Sequence, residues 1–230
     1  MTRFPMAPSF APVMLLLLVL LSPAGVVPAA AVDGSAALSR ILTDPDEQKT
    51  VLDAAGRSAV VVNNPCPTAR YDLGGTVVIY RQPAFGDEGG IVSGAWKQVV
   101  REQGCGASRL LNVLVFVQSE GSVSAAPILP GTTRADPQLQ KDGVGHALAA
   151  AGGREENCKV GYVSDTRFID QEASAVEGGR SPPWRELWTL MSCTRWMEVP
   201  MLFIPDQGGT TIVAGPSTAV RIYPLAPDRR

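Results

Sequence analysis

Ser93-Gly-Ala-Trp96-Lys-Gln-Val-Val-Arg-Glu-Gln-Gly-Cys105 lies without a gap over Ser181-Pro-Pro-Trp184-Arg-Glu-Leu-Trp-Thr-Leu-Met-Ser-Cys193. The serine, the tryptophan, the base after it, Gln98 over Glu186, an aliphatic and the cysteine all coincide at an offset of 88 residues. Past the cysteine, Leu114-Val-Phe-Val-Gln-Ser-Glu-Gly121 resembles Met201-Leu-Phe-Ile-Pro-Asp-Gln-Gly208. Upstream, Asp44-Pro45-Asp-Glu-Gln48-Lys49 matches Asp136-Pro137-Gln-Leu-Gln140-Lys141 at an offset of 92, which Cys66 and Cys158 share. Four matches in one order are the signature of an internal repeat. The sequence is therefore read as a tandem duplication, with unit one at 43–132 and unit two at 133–225, after a linker at 32–42 and before a short tail at 226–230.

Each unit is expected to open with a helix. Asp44 and Asp136 are suited to N-cap, with proline at the first helical position. The helices should span about 45–55 and 137–151, although Gly143 and Gly145 weaken the second. Strands are expected at Gly75–Tyr80 and Lys159–Ser164, with a further one at Ala59–Val62. The tryptophan segments read as helices: Trp96, Val99 and Val100 share one face, as do Trp184, Leu187, Trp188 and Met191. Hairpins should close the units, with strands Leu111–Val117 and Ser122–Ile128, then Met201–Ile204 and Thr210–Ala214, around glycine-containing turns. The expected fold is α+β: a duplicated helix–strand–helix–hairpin unit with an antiparallel sheet, each unit stapled by one disulfide.

Composition bounds the partners. The chain has 230 residues, with 20 Lys+Arg against 22 Asp+Glu, 45 % hydrophobic and 18 % charged residues. That excludes a disordered, collagenous or coiled-coil chain, and a net charge of −2 offers no footprint for nucleic acid. Residues 1–31 read as a secretory signal peptide. Arg3 supplies the charge, Met14–Leu21 the apolar core, and Ala29-Ala30-Ala31 a small-residue cleavage site. The apolar core is far shorter than the roughly 20 residues needed to span a bilayer, so no integral membrane segment is expected after cleavage. The expected location is periplasmic or secreted. In such an oxidising compartment the four cysteines imply two disulfides, and equivalent positions in the repeat pair them as Cys66–Cys105 and Cys158–Cys193.

Val113-Leu-Val-Phe-Val-Gln-Ser-Glu-Gly-Ser-Val-Ser, followed by Leu129-Pro-Gly-Thr-Thr-Arg-Ala-Asp-Pro-Gln-Leu, an Ala-rich helix and a strand, resembles the TonB/TolA C-terminal domain over about 110–165. The resemblance implies a fold fragment and a habit of binding proteins in the periplasm. The chain lacks that family's transmembrane anchor and long Pro/Lys linker, so energy transduction is not implied.

Candidate chemistry is sparse. His146 is the sole histidine and sits on the weakened helix, with no Gly-x-Ser-x-Gly elbow around it. Asp87-Glu88 and Glu155-Glu156 are the densest acidic spots, both in glycine-rich surroundings that suit solvated loops. Asp165, Asp170 and Glu172 could face a hard cation, yet no calcium loop accompanies them. Gly74-Gly75 and Gly208-Gly209 lack a phosphate-loop pattern. No metal and no cofactor are expected. The most suggestive feature is aromatic: unit two carries Trp184, Trp188 and Trp196 with Arg185 and Arg195 beside them, and Trp and Arg are enriched where binding energy concentrates. The site residues proposed on this ground are Trp196, Arg195, Trp188 and Arg185. They suit an exported, non-catalytic module that binds an envelope protein or another envelope component. The alternatives are a small hydrolase using paired carboxylates on cell-wall glycan, and a carrier holding a small ligand in the groove between the units.

Overall fold

Both tryptophan segments are β-strands, not helices. The computed structural model describes residues 34–153, 158, 161–171 and 181–225. The expected signal peptide, the tail, Glu155, Glu156 and Glu172 lie outside them. The described chain begins with α1 (Gly34–Thr43), α2 (Pro45–Gly56) and the short α3 (Ala59–Asn63). An antiparallel meander follows, β1 (Arg70–Phe85), β2 (Ile91–Gly104), β3 (Ala107–Val117) and β4 (Val123–Ile128), paired in that order. The second half has α4 (Pro137–Ala150), then β5 (Tyr162–Gln171), β6 (Trp184–Met191), β7 (Arg195–Pro205) and β8 (Thr210–Ala214) as a second meander. A final strand, β9 (Arg221–Pro224), pairs with the Arg195–Glu198 end of β7 beyond the reach of β8.

The expected α+β unit of helix–strand–helix–hairpin is thus corrected to a mostly β protein, two antiparallel sheets holding nine strands among the described residues. The reason lies in the period. On a strand, alternate residues share a face, and Trp184, Glu186, Trp188 and Leu190 are all buried while the residues between them are not. On β2 Trp96, Gln98, Val100 and Glu102 are likewise buried, and of the residues between them only Lys97 is buried as well. The apolar residues alone also fit a helical stripe. Polar side chains at Gln98, Glu102 and Glu186 disguise the alternation that actually governs burial.

Two further segments differ from expectation. Ala59–Val62 is helical, and the linker at 32–42 forms a helix from Gly34 onward. In that helix Ala37 is buried, with Leu38, Ile41 and Leu42 packed on the first core, an i, i+1, i+4, i+5 stripe that suits a one-sided helix. The N-caps are as expected. Asp44 accepts from the backbone N–H groups of Asp46 and Glu47, and Asp136 from those of Gln138 and Leu139.

Each sheet carries its own core. Val51, Ala54 and Ala55 of α2 meet Trp96, Val100, Leu111, Val113 and Val115 in the first. Ala147 and Ala151 of the α4 end meet Trp188, Leu190, Val199, Met201 and Phe203 in the second. Gly143 serves the second core, since a Cβ there would lie 2.6 Å from Trp188 Cη2. The helix-weakening glycine is what admits the indole. At the centre of that core Glu186, 1 % exposed, accepts hydrogen bonds from Trp184 Nε1 (2.9 Å), Trp188 Nε1 (2.8 Å) and the Arg134 backbone N–H (2.8 Å).

Disulfides Cys66–Cys105 and Cys158–Cys193 occur as expected. Each ties the β2–β3 or β6–β7 turn back to the segment preceding its meander. Two such bonds belong to an oxidising, extracytoplasmic compartment, and no helix among the described residues is long and apolar enough to cross a membrane. Replacing Cys158 and Cys193 together by serine, which opens a loop with a sequence separation of 35, should cost about 3–4 kcal/mol by loop-closure entropy. Guanidinium unfolding of the double variant checks this, and a loss under about 1 kcal/mol would contradict it.

The connection from β4 to α4 joins the two halves. Gly131 N–H donates to Leu110 O of β3 (2.8 Å), while Thr133 N–H donates to Thr166 Oγ1 of β5 (3.2 Å). Lys97 Nζ reaches from β2 to Thr133 O (3.1 Å). Burial holds the Lys97 ammonium below its usual pKa, against a partial upward pull from Glu186.

Candidate functional site

A groove of about 560 Å³ runs where α3, the end of β4, α4 and the start of β5 converge. Its first wall follows from a turn: α2 ends at Gly56, Arg57 caps it, and the chain re-enters a helix at Ser58. In so short a helix Val60 and Val62 fall on different sides. Val60 is buried in the first core, whereas Val62 is 63 % exposed and lines the groove. The facing wall is the proline-flanked stretch Pro127-Ile128-Leu129-Pro130. The third is one face of α4, because Pro137, Gln140, Lys141 and Val144 stand at i, i+3, i+4 and i+7.

Gln140 is fixed in that wall by two hydrogen bonds. It accepts from the Leu129 backbone N–H (2.9 Å) and donates to Ala135 O (2.8 Å). Tyr162 and Val163 of β5 complete the lining. Among the described residues, the polar groups that line it are Arg57, Ser58, Asn63, Gln140, Lys141 and the Tyr162 phenol, with no Asp or Glu. Burial raises the Tyr162 pKa, with Arg109 pulling the other way.

Tyr162 and Pro130 also line a second cleft of about 490 Å³, walled by Arg109, Asp165 and Arg167 among others. Arg109 is committed there: it pairs with buried Glu102 at 2.6 Å and donates to Val60 O and Asn64 O. Desolvation raises the Asp165 pKa, partly countered by a backbone hydrogen bond from Thr166 and by the charge of Arg167.

The four residues singled out from the sequence do not form one surface. Trp188 lies wholly inside the second core. Trp196 is on the opposite face, half-buried and stacked on Tyr223 of β9, ring centroids 4.0 Å apart. Arg185 holds Asp170 through two hydrogen bonds (2.7 and 2.6 Å) on that outer face. Arg185 pairs with Leu202 and Trp196 with Met191, which separates them by six β7 residues, about 20 Å. Arg195, at the start of β7, is half-buried.

His146 is exposed on α4, and Asp87 and Glu88 are exposed in the β1–β2 turn. Asp170 is taken up by Arg185, and Asp165 stands beside Gly131. Among the described residues no three His, Cys, Asp or Glu side chains converge to hold a metal ion. The groove residues were missed because Ala59–Val62 read as a strand, which removed Val62 from consideration. The i, i+3, i+4, i+7 face of α4 was the available signal. No protein-family model, no curated protein and no solved structure matches the chain.

Proposed function

We propose that this chain is an exported, non-catalytic binding module whose site is the groove between its two halves, and that it holds an apolar envelope component there. The observation that carries this reading is Val62: a valine 63 % exposed on a helix, facing prolines and aliphatics across a concavity of about 560 Å³. That volume falls in the range of about 300–1,000 Å³ typical of small-molecule sites, which are mostly apolar with a few placed polar groups. The glycan-hydrolase alternative finds no support among the described groove residues, which include no carboxylate to act as acid or base.

A tandem origin of the two halves is part of the same proposal, since it places the groove at the seam of the duplication. Helix and four-stranded meander occur twice in the same order, each with its own disulfide. Core volumes also exchange between equivalent places. Val51 and Val100 in the first core stand where the offsets of 92 and 88 put Gly143 and Trp188 in the second.

A neutral environment-sensitive dye such as Nile red tests the reading. Saturable fluorescence enhancement is expected with the native protein, and Val62→Arg should reduce the affinity at least tenfold without moving the thermal midpoint. Enhancement that Val62→Arg leaves unchanged would place the apolar site elsewhere and defeat the proposal.

A further inference from the structure

Resting on that reading of the groove, we propose that its ligand is an anionic amphiphile: a single hydrocarbon chain along the apolar walls, with a carboxylate or phosphate head held between Arg57 and Lys141. The charge of the lining points this way. The whole chain has a net charge of −2, yet the described residues that line the groove include two cations and no carboxylate. Neither cation has an ion-pair partner among the described residues. Arg57 Nη2 donates to the neutral Ala125 carbonyl (3.3 Å), a bond that uses one of five guanidinium donors. Of the acids near Lys141 in sequence, Asp142 accepts from Gln138 Nε2 (2.9 and 3.0 Å), and Asp136 turns its carboxylate onto the N–H groups of its own helix.

A second observation agrees. Ser58, 3 % exposed, belongs to the same wall beside Arg57, and its hydroxyl has no hydrogen-bond partner. Buried hydroxyls are normally satisfied, so an oxygen-rich head beside Arg57 supplies what this wall lacks. The apolar share of the lining, from Val62 through Ile128 to Val144, accounts for the chain of the ligand. Among the described lining residues a cation would meet only like charge. A neutral hydrocarbon would leave the two cations without use.

The test is calorimetric titration of the purified protein, disulfides formed, with dodecanoate, tetradecanoate and hexadecanoate, their methyl esters and the matching alkyl phosphates, below micelle formation. One-to-one binding of the acids is expected, with the esters at least tenfold weaker and affinity rising about fourfold per added methylene until the groove fills. The double variant Arg57→Gln/Lys141→Gln should abolish the acid–ester difference while leaving ester affinity unchanged. Preference for the phosphates points to a phospholipid-like source and preference for the carboxylates to a free fatty acid, and either supports the proposal. Equal binding of acid and ester by the native protein overturns the headgroup assignment while leaving the groove a binding site. Absence of binding by every chain, in a protein that still takes up Nile red in a Val62-dependent way, overturns the amphiphile alone. Absence of both removes the groove reading itself.

Discussion

Glu186→Ala should destabilise the protein by about 4 kcal/mol or more, the sum expected when two indole N–H groups and one backbone N–H lose a buried acceptor together. All three donors are held within 2.9 Å by this one carboxylate, at a site 1 % exposed. Truncation also leaves a void beside the Trp184 and Trp188 indoles, which themselves pack on Phe203 with ring centroids 4.9 and 6.1 Å away. Glu186→Gln should cost about half as much. Its carbonyl oxygen can still accept from Trp184 and Arg134, but its amide NH₂ then confronts the Trp188 N–H donor to donor. Guanidinium unfolding followed by tryptophan emission measures both. An alanine variant within about 1 kcal/mol of the native protein would mean the carboxylate is not what positions the two indoles.

That carboxylate also explains which parts of the fold were legible in the sequence. Features governed by neighbouring residues came through. The Asp-Pro pairs at 44–45 and 136–137 cap helices where they should, and the cysteines pair as the repeat offset requires. The Leu111–Val117 strand also lies inside β3, and its partner, expected at Ser122–Ile128, forms β4 from Val123 onward. What failed was the choice between two periods over Trp96–Cys105 and Trp184–Cys193. Burial there includes Gln98, Glu102 and Glu186, and each is polar. Glu102 needs Arg109 from the next strand, and Glu186 needs Arg134 from a distant loop. A residue buried because of a tertiary partner looks like a surface residue in the sequence. The helical stripe therefore matched better than the true alternation.

The site was less legible than the fold for a related reason. Trp and Arg at 184–196 carry the composition of a binding surface, but alternation sends Trp188 inward and Trp196 against Tyr223. The groove is assembled from α3, the end of β4, α4 and the start of β5, and no sequence motif joins α3 to the other three. Only the local geometry of α3, five residues long, turns Val62 outward. That turn depends on the helix starting afresh at Ser58, one residue beyond the α2 cap.

Gly131→Ala should be as severe as the loss of Glu186, for a reason found in neither core. Gly131 has φ +96°, and a Cβ there would stand 2.1 Å from Thr166 O, 2.5 Å from Asp165 Oδ1 and 2.6 Å from Thr166 N. The Asp165 carboxylate can rotate aside, but the two Thr166 backbone atoms cannot yield without shifting β5. The glycine is also pinned to the first sheet, donating to Leu110 O and accepting from Asn112 Nδ2 at 3.0 Å. An alanine must therefore separate the connection from one sheet or the other. Backbone strain of about 1–3 kcal/mol combines with the loss of hydrogen bonds worth about 1 kcal/mol each, for a total of about 4 kcal/mol. Gly106→Ala is the matched control, because Gly106 has a positive φ of 74° and nothing within 4 Å of the added carbon. It should lose only about 1 kcal/mol, the conformational part alone. Thermal unfolding of the two variants side by side separates strain from collision. Because Pro130 and Tyr162 border both clefts, Gly131→Ala should also weaken dye uptake by the groove, whereas Gly106→Ala should not. If the two variants unfold together and bind alike, the β4–α4 connection is not what holds the groove in shape.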